Sequence, residues 1–205
     1  MSQSQYVTPE ELKKTLTLTG TVFADYDIEP AINAASDAIN HMCGRRKFDA
    51  DTSTATIKYY KPSNASVIVI NDLIELTELT TDTDGDGDFE DTWEIDRDIF
   101  LWPYNALDDG RPFTQIHLNT FKATKGFPSC VPRSAKVEGK FGWPELPSFL
   151  NPTTKMLASR LIKRMREAPF GVVTVGLDVG SAIRIGSTDP DIQGMIAPYT
   201  REAVI

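Results

Sequence analysis

Residues Asp72–Trp93 read DLIELTELTTDTDGDGDFEDTW, and how this stretch is divided decides the fold. Its first part, Asp72–Thr81, alternates apolar and polar residues, the period of a half-buried strand. The next part, Asp82-Thr83-Asp84-Gly85-Asp86-Gly87, matches the opening half of a calcium loop, where oxygen ligands alternate and a glycine permits the sharp bend. An EF-hand would need helices on both sides. A strand pattern precedes the loop instead, and the position that wants a bidentate Glu holds Trp93, with Glu94 one residue late. The stretch is therefore expected to be a β-hairpin with an acidic tip. Two readings of the tip stay open. Asp82, Asp84, Asp86 and either Asp88 or Glu90 are candidate ligands for calcium. Alternatively, Asp and Gly serve the bend, and like charge keeps the tip hydrated.

The neighbouring residues extend the β pattern. Upstream, Thr56–Tyr60 and Ser66–Ile70 (SVIVI) are strand-like. Downstream come Trp93–Trp102 (WEIDRDIFLW), a turn at Asp108–Pro112, and strands at Phe113–Leu118 and Ala135–Phe141. Helical patterns flank this region. Thr8-Pro9-Glu10-Glu11 carries a capping box and a first-turn proline, and the helix it starts is expected to end near Leu18. A second helix is expected after Asp27, with Ile28, Ile32, Ala35, Ile39 and Met42 on one face and Pro30 in the first turn. Gly44 would stop it, and Arg45-Arg46-Lys47 would face the negative end of its dipole.

A third helix is expected after Pro147, with Ser148 as cap. Leu150, Met156, Leu157, Leu161, Ile162 and Met165 form its apolar side, and Lys155, Arg160, Lys163, Arg164 and Arg166 crowd the rest. Val172–Val175 and Ala182–Ile185 can pair as a small hairpin. Asp189-Pro190-Asp191 starts a short last helix carrying Ile192, Met195, Ile196 and Tyr199, limited by Pro198. The expected fold class is α+β: a small helical bundle, built from two N-terminal helices (1–48) and a C-terminal helix with a docking tail (147–205). It carries a mostly antiparallel β region (49–146) with a long acidic-tipped hairpin, a single domain with a β insertion.

Composition narrows the function. A net charge of −8 over 205 residues argues against a general duplex-binding protein. Cys43 and Cys130 have neither metal-ligand spacing nor a disulfide pattern, so two reduced thiols are expected. The opening MSQSQYVTPEE has no secretory pattern, and no run of about 18 apolar residues suggests a membrane span. His41 precedes Cys43 by two residues on a helix, so the two side chains diverge, and His117 stands alone in a strand. The chain contains no Gly-x-Ser-x-Gly, P-loop, His-Glu-x-x-His or GxGxxG. No enzymatic activity is expected.

Further stretches carry a resemblance. They are GKFGWPELP (139–147), ASRLIKRMREAPFGVV (158–173), DPDIQGMIAPYTR (189–201), NDLIELTELTTDTDGDGDFEDTW (71–93), Asn105-Ala106 and Gly110–Phe113, with TPEELKKTL near the N-terminus. Taken in order, they resemble the head-to-tail connector (adaptor) proteins of long-tailed phages, especially larger versions encoded by phages of actinobacteria. The resemblance implies a structural virion protein of the neck, assembled in the host bacterial cytoplasm. Such proteins form a homo-oligomeric ring, typically of twelve subunits, beneath the portal protein. The ring extends the DNA channel without sequence-specific binding and receives the next head-closure or tail-completion protein.

On that reading the segment from Phe170 onward is the expected partner contact, through Phe170, Ile192, Met195, Ile196 and Tyr199. The alternative is that it folds back on its own bundle. Arg160, Lys163 and Arg164 are read as a solvated face, as a surface for an acidic portal or neighbour, or as a wall near DNA. Trp102, Phe113, Phe127, Phe141, Trp143, Phe149 and Phe170 are candidate interface anchors or core. The rival is a calcium-binding β module for adhesion or carbohydrate binding. A hydrolase using a carboxylate pair is discouraged by the missing nucleophile.

Overall fold

The computed structural model describes residues 5–18, 25–48, 54–167, 172–174, 182–184 and 190–201. The chain is α+β and divides into two compact units. One comprises Met1–Lys47 with Pro147–Ala203, the other Phe48–Leu146 with Val204–Ile205.

The first unit contains α1 (Pro9–Leu18), α2 (Asp25–Met42), α3 (Leu150–Glu167) and a short α4 (Pro190–Ile196) that runs into a 3-10 turn, Ala197–Tyr199. The expected capping box is made: the Glu11 N–H donates to Thr8 Oγ1 at 3.3 Å, and the Thr8 N–H donates to Glu11 Oε2 at 3.4 Å. Helix α2 begins at Asp25, three residues before the expected start. Pro30 is therefore its sixth residue and lies in the second turn, not the first. The lost bond to the Tyr26 carbonyl is offset by burial of Ile28, Ile32, Ala35 and Ile39, all fully buried. After α2, Gly44 takes φ +75° and donates to the His41 carbonyl.

Helix α3 is entered through a turn in which the Leu150 N–H bonds the Pro147 carbonyl. Phe149, not Ser148, is the flanking residue. Its buried ridge is Leu150, Thr154, Ala158 and Ile162, at intervals of four, while Leu157 and Leu161 sit part-buried beside it. Ala158 lies in one cluster with Ala31 and Ala35 of α2. Small residues let helices approach closely, which moves the contact line away from the bulkier side chains. Strands β7 (Val172–Thr174) and β8 (Ala182–Arg184) pair antiparallel, Val173 opposite Ile183.

The second unit is a sheet of β1 (Thr56–Tyr60), β2 (Val67–Thr81), β3 (Asp91–Thr92), β4 (Ile99–Trp102), β5 (Phe113–Leu118) and β6 (Ala135–Phe141). Its order is β1-β6-β2-β5-β4, with β3 attached to β2. All its strand pairings are antiparallel. The expected strands at Ser66–Ile70 and Asp72–Thr81 are one element, β2. Its first half pairs with β5 and its second with β6, and Leu73 lies opposite both Phe113 and Phe141. The changeover has a visible cause. The Asn71 N–H donates to the Tyr60 hydroxyl (3.2 Å) instead of a ladder carbonyl, and the same hydroxyl donates to Asn71 Oδ1 (2.9 Å). The register shifts between Val69 and Leu73 as a result.

Two other strand expectations are corrected. Trp93–Trp102 is not one strand, because Glu94–Asp98 closes a local turn. The Asp98 N–H bonds the Glu94 carbonyl at 2.9 Å, and Asp96 sits at φ +64°. The hairpin has a short return arm, since β3 pairs with β2 only at Thr80–Thr92 and Thr81–Asp91. Beyond it Trp93 turns inward. Its Nε1 donates to Thr81 Oγ1 at 2.9 Å, and its ring meets Phe127 with centroids 4.9 Å apart. One face of the sheet packs Ile68, Leu76, Leu79, Ile99, Ile116 and Val137. The other carries Glu75, Glu78, Lys136, Glu138 and Lys140, the solvated side of an antiparallel sheet.

Candidate functional site

The acidic loop is the most organised polar feature of the sheet unit. Asp82 follows β2 directly and is buried, its N–H bound to the Ser134 carbonyl at 2.8 Å. Its carboxylate accepts from the N–H groups of Gly85 (2.6 Å) and Gly87 (3.0 Å). Both glycines hold positive φ, +85° and +99°, which lets the backbone curl round that carboxylate. Asp84 then accepts from the Asp86 N–H at 3.2 Å, and Asp86 from the Asp88 N–H at 2.9 Å. These bonds draw one carboxylate oxygen each of Asp82, Asp84, Asp86 and Glu90 to within 4.8 Å of one another. Asp88 stands outside the group, so of the two alternatives for the fourth position the fold selects Glu90. At the loop's foot Asp91 accepts from Thr83 Oγ1 at 2.9 Å and pairs with Lys125. The Lys125 ammonium, then the Thr83 hydroxyl, hold the Asp91 carboxyl below its usual range. Four converging carboxylates suit a hard cation taking oxygen ligands, calcium above all.

The residues expected to meet a partner are placed differently. Ile192 and Ile196 are buried within the first unit, and the Tyr199 ring stacks on Phe149 with centroids 4.2 Å apart. Arg46 is itself buried, and its Nη1 donates to the Tyr199 carbonyl at 3.0 Å, which ties it to the terminal segment. Thr153 Oγ1 donates to Met195 Sδ at 3.3 Å. The terminal segment is thus folded onto its own helices. Of the two alternatives for residues 190–201, the fold matches the second, a segment folded back on its own helices: Ile192 and Ile196 are buried where they stand and Tyr199 is half-buried, so they present no outward apolar face. Met195 keeps an exposed flank. Arg160, Lys163 and Arg164 lie on the exposed face of α3. Phe170 lies outside the described residues.

Neither histidine belongs to a catalytic constellation among the described residues. His41 is exposed on α2. His117 stacks under Trp102 at 5.5 Å and shares a 2.7 Å hydrogen bond with Gln115, and burial pushes its pKa down. Cys43 and Cys130 are free thiols, the first buried and the second exposed.

Of the candidate anchors, Phe127, Trp143 and Phe149 are core, Phe113 and Phe141 are part-buried, and Trp102 is exposed. Sequence reasoning missed Tyr104, Leu107 and above all Phe121, whose surface is 96% exposed. Its one signal was an isolated aromatic among Asn119, Thr120 and Lys122, just past the end of a strand pattern. Compared with known proteins, the chain matches no family model and no curated sequence.

Proposed function

We propose that this chain is a structural virion protein, a subunit of a head-to-tail connector ring. It would bind below the portal, extend the DNA channel and present the docking surface for the next neck component. The observation that carries the reading is that the sheet unit leaves many large apolar side chains in solvent: Trp102, Tyr104, Leu107 and Phe121, with Ile95 and Leu146, and Ile57 and Tyr59 on β1 at the opposite edge of the sheet. Scattered exposed apolar residues are ordinary, but Trp102 and Tyr104 stand against each other with Leu107 in the following turn, a grouping that a subunit can bury against neighbours. The resemblance carried by residues 71–93 and 139–201 supports the same reading. The solvated face of α3 at Lys163 and Arg164 would meet an acidic surface of the portal. The test is electron microscopy of the protein mixed with portal-bearing capsids: rings at the tail vertex are expected, and bare vertices at saturating protein would sink the proposal.

A second reading is favoured by one specific observation, the convergence of Asp82, Asp84, Asp86 and Glu90. On that reading the sheet unit is a calcium-binding module, and its unfolding temperature should rise with calcium, since a ligand held only by the folded state stabilises it. Calorimetric titration that shows no heat at millimolar calcium would dispose of it.

A further inference from the structure

We propose that the sheet unit takes up an extended, basic peptide segment by strand addition, in a gap that β2 leaves open at residues 74–78 between β3 and β5. The inference stands on the sheet unit alone and does not rest on the connector reading.

The gap follows from the pairing. On one side β2 is covered by β6 from Leu73 to Thr81. On the other side β5 stops at Leu73, opposite Phe113, and β3 pairs only with Thr80 and Thr81, the Trp93 N–H also reaching the Leu79 carbonyl at 3.1 Å. Both neighbours leave the row at these points. Pro112, just before β5, has no N–H to donate, and the chain beyond Trp93 turns on itself where the Asp98 N–H bonds the Glu94 carbonyl. Among the described residues, nothing hydrogen-bonds the backbone of residues 74–78 on this side. Glu75, Thr77 and Glu78 are exposed, while Leu76 is anchored in the core.

Backbone and charge identify the occupant. A row of unpaired N–H and C=O groups is met by another extended backbone. The open residues span roughly 16 Å, so a longer strand would run into β3 or β5. Register shifts between Leu73 and Glu75 and between Leu76 and Glu78 bend the edge as well. A strand fixed in another sheet fits such an edge poorly, whereas a short free segment fits it. The charge is set by Glu78, which stands directly opposite Glu138 on the solvated face. Like charges so placed repel. Among the described residues neither carboxylate is in an ion pair: Lys140 is held by Glu75 at 2.6 Å, and Lys136, two residues along β6 from Glu138, pairs with neither. A cationic side chain on the added strand, beside Glu78, offsets that repulsion. The occupant is therefore a short segment in which basic side chains alternate with uncharged ones.

The test titrates the isotope-labelled full chain with an acetylated, amidated hexapeptide of alternating arginine and valine, read by amide NMR and hydrogen exchange. Saturable shifts and slowed exchange centred on residues 74–78 are expected, and their absence with probe up to about 5 mM overturns the proposal. Methylating the nitrogens of all the valines, or of all the arginines, keeps the charge and removes the hydrogen bonds of one edge of the probe. One of these two probes should bind about tenfold more weakly or worse. If both bind as well as the parent, charge attraction alone is at work and strand addition is wrong. A glutamate-for-arginine probe should not bind, and binding as tight as the parent's would contradict the charge assignment. Glu78→Gln should weaken the parent probe about three- to fivefold without lowering the thermal midpoint, since it removes one of two repelling charges. Glu90→Gln, in the acidic loop, should change nothing. Shifts centred on Asp82–Glu90 instead of the gap would equally overturn the proposal.

Discussion

Gly44 meets two demands at once. Its φ of +75° closes α2, and a Cβ there would stand 2.3 Å from the Arg201 carbonyl oxygen. Gly44→Ala should therefore cost more than the roughly 1 kcal/mol of left-handed strain alone, about 2–3 kcal/mol by urea unfolding. Gly87→Ala, at φ +99° but with open space around it, should cost only the strain. The C-terminal stop was legible from the sequence, but the approach of Arg201, 157 residues downstream, was not. Cys43 makes a second residue-scale case. Burial pushes its thiol up to about 11, against a smaller opposing pull from Arg46. The folded state therefore keeps the proton after the unfolded chain has lost it. That contribution to stability is complete below about pH 8.5, the usual value for a free thiol, and is lost as pH rises through about 11. At pH 8 a thiol reagent should label Cys130 at once and Cys43 only on unfolding. Two fast thiols would contradict the burial.

Among the elements, the terminal helix and the acidic loop invert what their composition suggests. Residues 190–201 look too short and too poor in apolar side chains to hold together alone, which invites the reading of an arm awaiting a partner. In the fold the arm is already seated, through Ile192, Ile196, the Tyr199–Phe149 stack and Arg46. Truncation after Ser187 should then lower the stability of the helical unit by several kcal/mol, since two core isoleucines and a stacked ring are lost together. Circular dichroism at 222 nm would follow it, and an unchanged melting curve would count against the seating. The acidic loop looks like mutual repulsion held in check by water. Its first carboxylate is instead a buried brace for two glycine N–H groups. Asp82→Ala should leave those donors without their acceptor and cost about 1–3 kcal/mol even without calcium. Asp88→Ala, outside the cluster, should be near neutral. Hydrogen exchange at Gly85 and Gly87 would separate the two variants.

At the scale of the whole molecule, the described residues include one core cluster of helices and one of sheet, each within its own unit, and the two can be watched separately. Trp93, Trp102 and Trp143 all lie in Phe48–Leu146, so tryptophan fluorescence reports the sheet unit, while helical dichroism reports the other. Ile116→Ala should lower the unfolding free energy read by fluorescence by about 2–5 kcal/mol, and Ile162→Ala should act chiefly on the helical signal. Equal shifts in both signals for both variants would mean that the two cores unfold as one. At this scale the sequence by itself determined the α+β class, the strands at Thr56–Tyr60, Phe113–Leu118 and Ala135–Phe141, and the helix signalled by Thr8-Pro9-Glu10-Glu11. Period, capping and turn chemistry are local, and these segments express them without contradiction. Only the tertiary structure decided that β2 is one strand shared between two partners. It also decided that Asp82 points inward, that the terminal helix is core, and that Phe121 is left in water. These outcomes turn on what lies outside the local pattern, such as Tyr60 on another strand for Asn71, Ser134 for Asp82, and Phe149 for Tyr199. Burial is a property of what arrives from elsewhere, and no local pattern encodes it.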